Sequence, residues 1–331
     1  MKKNLIYTVL ALAAVFAASC AKSNDKESNE DELNYIEAWL KVNHGDAVKA
    51  GHGIYILDEK DGNGSSYNGE PYVYVVRTIR TLDGTIISTE SEELAKRIGT
   101  FKESNYYGPK MVSMQQGTAL VGISDMFDGM RAGGERTALI PSWLLTEKKY
   151  DNAEEYFKHV PDKNSKTPVI YTIELQQVCP DVNRWETGIF NNFVSKNYPG
   201  VTISEGFGHK ILRASTGDLE KGSTFYVNYT GRLLNGKVFD TTIEDTAKVY
   251  NIWSKSKKYG PVEARNAETD SEVTLGSNKV ITGFAHAINC LGKESKIVSF
   301  FMSGLGYGAN GSASIPPFSP LIFEIEVVDK K

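Results

Sequence analysis

Five blocks recur in the same order along this 331-residue chain, and that repetition constrains the fold more than any other feature. Asn34–Asn43 (NYIEAWLKVN) answers Gly188–Asn197 (GIFNNFVSKN), with Trp39-Leu40 against Phe193-Val194. GIYILDEKDG (Gly53–Gly62) answers GHKILRASTG (Gly208–Gly217), and PYVYVVRTIRTLDGTIISTE (Pro71–Glu90) answers TFYVNYTGRLLNGKVFDTT (Thr224–Thr242). ALVGISDMFDGM follows the pattern of VITGFAHAINCL, Gly122 against Gly283, and PVIYTIEL (Pro168–Leu175) matches PLIFEIEV (Pro320–Val327). The offsets run from 152 (Gly84 to Gly236) to 161 (Gly122 to Gly283). Ordered blocks at a near-constant offset indicate a tandem duplication, so the chain is expected to use one fold twice. With 24% charged and 40% hydrophobic residues, each half has the composition of an ordinary globular unit that can bury its own core.

Within each copy the periodicity is mostly that of strands. Phe225–Tyr229 and Leu321–Val328 are rich in β-branched and aromatic residues and alternate as half-buried strands do. Asp83-Gly84 and Asn235-Gly236 lie between such runs, where a hairpin needs a residue that takes φ > 0 at little cost. Phe284, Ala287, Ile288 and Leu291 fall at helical spacing and predict one short amphipathic helix. Antiparallel strands with a helix on one face make an α+β unit. The expected layout is a first unit over 34–178, a linker with a short helix over 179–205, and a second unit over 206–331.

The amino terminus reads differently. Lys2 and Lys3 precede an uncharged apolar run, Leu5–Ala18, which closes on Ala17-Ala18-Ser19-Cys20. A basic start, a short apolar run and small residues before a cut site predict a secretory signal over 1–19. Small residues followed at once by cysteine resemble the lipobox of bacterial lipoproteins. That resemblance implies lipidation of Cys20 and a membrane anchor in the bacterial cell envelope, at the outer membrane. Lys22–Glu32 (KSNDKESNEDE) has no apolar residue to offset its ordering entropy, so 20–33 is expected to be an acidic disordered tether. Without Lys2 and Lys3, the 37 basic residues become 35 against 41 acidic ones, a balance that does not favour nucleic acid as a partner.

The second copy carries the chemistry-bearing motifs. VNYTGRLLNGKVFDTT (Val227–Thr242), KVITGF (Lys279–Phe284), LGYG (Leu305–Gly308) and IPP (Ile315–Pro317) precede a terminal LIFEIEVV. This ordered set resembles the FKBP family of peptidyl-prolyl cis–trans isomerases over about Gly206–Lys331. The resemblance implies two FKBP-like domains, each a twisted antiparallel sheet wrapped around a short helix, with an aromatic pocket between sheet and helix. It places Tyr229, Phe239, Asp240, Val280, Ile281, Phe284, Tyr307 and Phe323 around that pocket. Phe284 would form the floor, with Phe239, Val280 and Phe323 binding substrate beside it. The Tyr307 hydroxyl and the Ile281 backbone N–H would each bind a substrate carbonyl. Tyr229 and Asp240 would belong with these two to the catalytic set, Asp240 at the rim either fixing nearby groups or polarising the reacting carbonyl. The implied substrates are proline-containing polypeptides, folding clients outside the cytoplasm. Rotation about the prolyl bond breaks no bond, so the reaction needs no nucleophile, metal or cofactor.

Taken singly, Tyr229, Val280 and Phe323 read as core and Asp240 as a turn cap; only their joint order points to a site. Two departures from the family pattern stand out. Ala247–Arg265 reads as an insertion, with Tyr250, Trp253, Lys255, Lys257 and Lys258 forming either a flap beside the pocket or a plain surface loop. No basic partner for Asp240 is evident nearby, since Glu244 and Asp245 follow it. In the first copy the site has drifted: Arg77 stands for Tyr229, Ile87-Ser88 for Phe239-Asp240 and Ile123 for Phe284, and no Tyr-Gly pair follows Trp143-Leu144-Leu145. That half is expected to be inactive, its fold outliving its chemistry. The alternative is that both copies serve as a non-catalytic peptide- or protein-binding scaffold. Gly306–Gly311 spells GxGxxG without a following helix, and His286 and Cys290 lack further metal ligands of suitable spacing. Cys179 and Cys290 fall in different repeats and are expected to be free thiols. The sequence does not specify an oligomeric state.

Overall fold

A computed structural model describes residues 28–160 and 166–330, leaving aside the side chains of residues 28–31. The expected signal, Cys20 and the first part of the tether lie outside the described residues. In the first half, seven strands form one antiparallel sheet: β1 (Val48–Ala50), β2 (Ile54–Lys60), β3 (Tyr72–Arg80), β4 (Ile86–Thr89), β5 (Lys110–Ser113), β6 (Gly134–Ile140) and β7 (Val169–Cys179). Eight form the second: β8 (Phe207–Arg213), β9 (Thr224–Leu233), β10 (Val238–Thr241), β11 (Val262–Arg265), β12 (Thr274–Leu275), β13 (Asn278–Lys279), β14 (Lys296–Phe301) and β15 (Leu321–Val328). The core order β2-β6-β7-β3 in one sheet is β8-β14-β15-β9 in the other, each with a hairpin partner (β4, β10) and a short flanking strand (β5, β11) on its last member. The duplication is therefore a duplication of topology. Even the hairpin detail repeats: Thr78 and Thr89 share a hydroxyl hydrogen bond of 2.9 Å, as do Thr230 and Thr241.

The helices are α1 (Ser28–Asn43), α2 (Glu92–Arg97), α3 (Val121–Asp125), α4 (Ala153–His159), α5 (Val182–Asn197), α6 (Glu244–Val249) and α7 (Thr282–Asn289). The apolar spacing noted above places Phe284, Ala287 and Ile288 of α7 in one core with Val227, Ile297, Phe301 and Ile325 of the sheet. Strand alternation then sends the intervening residues, Val298 and Phe300, to the other face. There they meet Phe190 and Val194 of α5. The first unit repeats this arrangement, with α3 on one face and Ile36 and Leu40 of α1 against Leu139 and Ile170 on the other. Gly122 and Gly283 serve the same close approach: a Cβ on them would lie 2.4 Å from Ile140 and 2.3 Å from Phe301.

Two expectations are corrected. The tether does not reach residue 33, because α1 begins at Ser28 and Glu32 already accepts a hydrogen bond from the Ser142 N–H (2.9 Å). Residues 179–205 are not a linker: α5 is capped by Asp181 and buries Val182, Glu186, Phe190 and Val194, so it belongs to the second unit as α1 does to the first. The first copy has a counterpart of Ala247–Arg265, because α2 and α6 start 152 residues apart and β5 and β11 likewise. SEELAKRIGTFKESNYYGPK (Ser91–Lys110) and IEDTAKVYNIWSKSKKYGPV (Ile243–Val262) share Glu, Ala, Lys, Ser and a terminal Tyr-Gly-Pro at that offset, a sixth block that the substitutions between them conceal. Among the described residues no helix is long and apolar enough to cross a membrane. Cys179 is buried and Cys290 exposed, both unpaired.

Candidate active site

Strand β9 places Tyr229 and Gly231 on neighbouring same-face positions, and its partners β10 and β15 bring Asp240 and Phe323 opposite Gly231. The N-terminus of α7 adds Val280, Ile281 and Phe284, and the turn after β14 adds Tyr307. Together with Phe239, these eight sequence-predicted residues line one open cavity of about 590 Å³. Leu275, Asn278, Lys279, Ser312, Ser314 and Ile315 complete its wall; Lys279 and Ile315 stand at the ends of quoted motifs, and the others carry no signal because rim residues have no periodic pattern.

The floor is a web of rings. Phe284 meets Phe323 edge-on at 5.0 Å and Tyr229 at 5.3 Å, and Phe239 meets Phe323 at 5.5 Å, while Phe301 stacks behind Phe323 at 5.6 Å. Such edge-to-face contacts fix ring planes as well as filling space. Gly231 makes the web possible: a Cβ there would stand 2.6 Å from Phe239 Cζ and 2.8 Å from Phe323 Cε1. In the first unit the register-equivalent residue, paired with Tyr171 and Ser88, is Ile79. A cavity of about 440 Å³ remains there, lined by Ile79, Leu120, Leu145, Lys166 and Tyr171 rather than by a web of rings.

Polar groups gather on one side of the rings. Tyr229 donates its hydroxyl to Asp240 Oδ2 at 2.7 Å, and Lys257 pairs with Asp240 Oδ1. The basic partner that the sequence left unidentified thus comes from the loop after α6, seventeen residues beyond Asp240. Burial first, then the Asp240 charge and its hydrogen bond, push the Tyr229 hydroxyl above the usual tyrosine range, so it remains a donor. Burial, followed by Asp240, also raises Tyr307, which is 40% exposed at the cavity mouth. Ile281 is the extended residue that opens α7, and its N–H finds no acceptor among the described residues. The site thus offers two donors, the Tyr307 hydroxyl and the Ile281 N–H, at an apolar cavity.

The first unit has exchanged this set for a structural pair. Arg77, in the place of Tyr229, forms a 2.6 Å ion pair with the buried Glu90, and Lys110 lies 3.5 Å from the same carboxylate. Ile87 turns outward at 57% exposure, and Thr146 stands where the second unit has Tyr307, its hydroxyl bonded to Trp143 and Lys148 carbonyls. The first unit also braces the second. Tyr106 is buried in the second unit's core, its N–H donates to Ala313 O at 3.0 Å, and Tyr72 packs on Phe318 at 5.5 Å.

Comparison with known proteins agrees with this geometry. Residues 216–328 match the family described as FKBP-type peptidyl-prolyl cis-trans isomerase. A probable FKBP-type peptidyl-prolyl cis-trans isomerase of Haemophilus influenzae is 36% identical over 130 residues, 39% of this chain and 44% of the relative. The FKBP-type isomerase FkpA of Escherichia coli is 30% identical over 132 residues, 39% of this chain and 40% of the relative. The matched region therefore spans less than half the length of these curated relatives. The crystal structure of E. coli FkpA aligns with 45% of this chain and 59% of its own at 26% identity and a TM-score of 0.33. Residues 216–328, which hold the pocket, are a domain of the FKBP-type peptidyl-prolyl cis-trans isomerase family.

Proposed function

We propose that this chain is a peptidyl-prolyl cis–trans isomerase that works through the second unit alone, on proline-containing segments of proteins outside the cytoplasm. The observation that carries the reading is the contrast between two copies of one fold: the second keeps an open, ring-floored cavity with two donors at its mouth, and the first sets Ile79, Arg77 and Thr146 where the second has Gly231, Tyr229 and Tyr307. Rotation about a peptide bond faces roughly 18–20 kcal/mol because the twisted state loses resonance. An apolar cavity that holds the proline ring and strips water from the imide favours the less dipolar twisted state over either planar form. Tyr307 and the Ile281 N–H fix the flanking carbonyls, so that binding energy goes into one strand geometry. Asp240, held by Tyr229 and Lys257, orients the rim. The Ala17-Ala18-Ser19-Cys20 run supports a mature chain lipidated at Cys20 and tethered to a bacterial membrane.

Isomerisation of an Xaa-Pro peptide by the full chain, followed by exchange spectroscopy, tests the reading. Activity that falls in Tyr307→Phe and Asp240→Ala with folding intact is expected; a folded, inactive wild type would sink it. Mass spectrometry of the mature amino terminus tests the anchor, and an unmodified Cys20 would remove it.

A further inference from the structure

The segment that presents Tyr307 is rich in glycine. Gly304, Gly306 and Gly308 surround the tyrosine, and Gly308 takes φ +57°. Glycines lose more freedom on ordering than other residues, so a turn of this composition does not hold a side chain in place by itself. The restraint comes from elsewhere. Ser303 O accepts the N–H groups of Gly306 (2.8 Å) and Gly308 (2.9 Å), one on each side of Tyr307. Ser303 is in turn held by Glu186 of α5, whose carboxylate accepts the Ser303 N–H at 2.5 Å and its hydroxyl at 2.8 Å. Glu186 and Ser303 are each only 3% exposed. A carboxylate inside an apolar helix–sheet layer costs free energy unless its oxygens are bonded, and both are bonded to this one serine.

The duplication supplies an internal comparison. In the first unit Glu32 of α1 accepts the N–H of Ser142, the residue matching Ser303, at 2.9 Å. There the Ser142 hydroxyl has no partner among the described residues, and Thr146 replaces the tyrosine. The acid–serine pair thus accompanies the fold in both copies, and the tyrosine beyond it is present in the second copy.

We infer that Glu186 is a positioning residue for Tyr307, locking the glycine-rich turn through Ser303 and so coupling α5 to the active site. The inference rests on the isomerase reading and deepens it. It is tested on the full chain by a double-mutant cycle between Glu186→Ala and Tyr307→Phe, with Glu186→Gln and Glu32→Ala alongside. Since an ångström of misplacement costs up to about a hundredfold, E186A should lower kcat/KM about tenfold. E186Q, which can still accept the N–H and meet the hydroxyl, should stay within about threefold. E32A should leave the activity unchanged. In the Y307F background E186A should cost little more, because its route runs through the missing hydroxyl. An equal loss from E186A with and without that hydroxyl, a loss from E32A as large as from E186A, or no loss at all would overturn the proposal. Should E186A not fold, Ser303→Ala carries the same cycle with a smaller effect. A folded wild type without activity would remove the isomerase reading before any variant is compared.

Discussion

Gly231→Ala places one methyl group where two aromatic rings already meet, and its outcome can be worked from distances. The new Cβ would stand 2.6 and 2.7 Å from Phe239 Cζ and Cε2 and 2.8 Å from Phe323 Cε1. Carbon atoms rest about 3.5–4.0 Å apart, so one ring must retreat by about an ångström. Phe323 is 4% exposed and wedged between Phe284 and Phe301, whereas Phe239 sits at the cavity edge. Phe239 therefore moves. Gly231 lies in a strand without positive φ, so alanine adopts its backbone freely and gains about 0.5–1 kcal/mol over glycine. Overpacking costs about 1–3 kcal/mol, which leaves a net loss of up to about 2.5 kcal/mol in stability. Activity should fall further than stability, about tenfold or more in kcat/KM, because the displaced ring borders the proline site. Chemical denaturation gives the first quantity and exchange spectroscopy on an Xaa-Pro peptide the second, with Ile79→Ala in the first unit as a control that leaves activity unchanged. A G231A chain with wild-type midpoint and wild-type kcat/KM would refute the claim that this glycine holds the pocket open.

Lys257→Asn, which installs the first copy's Asn105, should lower kcat/KM by freeing Asp240 while changing stability by less than about 1 kcal/mol, since both partners are about a third exposed. The kinetic effect should shrink in high salt, and a salt-independent loss would argue against a charge role. Tyr229→Phe removes the 2.7 Å bond to Asp240 and should cost about 1–2 kcal/mol in denaturation together with a drop in kcat/KM. Gly283→Ala sets a Cβ 2.3 Å from the fully buried Phe301 and should destabilise the second unit by about 3 kcal/mol or more, measured by calorimetry. Burial outweighs hydrogen bonding to Ser142 and Ser303 and raises the Glu32 and Glu186 carboxyls above the ordinary glutamate range. The folded state then holds these protons more tightly than the unfolded chain. Their contribution is complete below the unfolded value and is lost as pH rises through the folded one, so E32Q and E186Q should each flatten the decline of stability across that window.

The sequence alone determined that one α+β fold is used twice, because strand alternation, Asp-Gly and Asn-Gly hairpins and the paired Gly122 and Gly283 are local signals that survive duplication. The resemblance of its ordered motifs to the FKBP family named the eight side chains that meet in the pocket, although singly most of them read as core. The sequence could not reveal what depends on distance through space. Lys257 finds Asp240 only because the loop after α6 folds back, and two acidic residues nearer in the chain hide that partner. Glu186 carries no local signal, and packing buries it against Ser303, 117 residues away in the chain. The first copy's loss of the pocket glycine likewise shows only through register, which sets Ile79 against Tyr171 where Gly231 faces Phe323. Local periodicity encodes elements and their faces; burial, partner choice and empty space arise only when those faces are brought together.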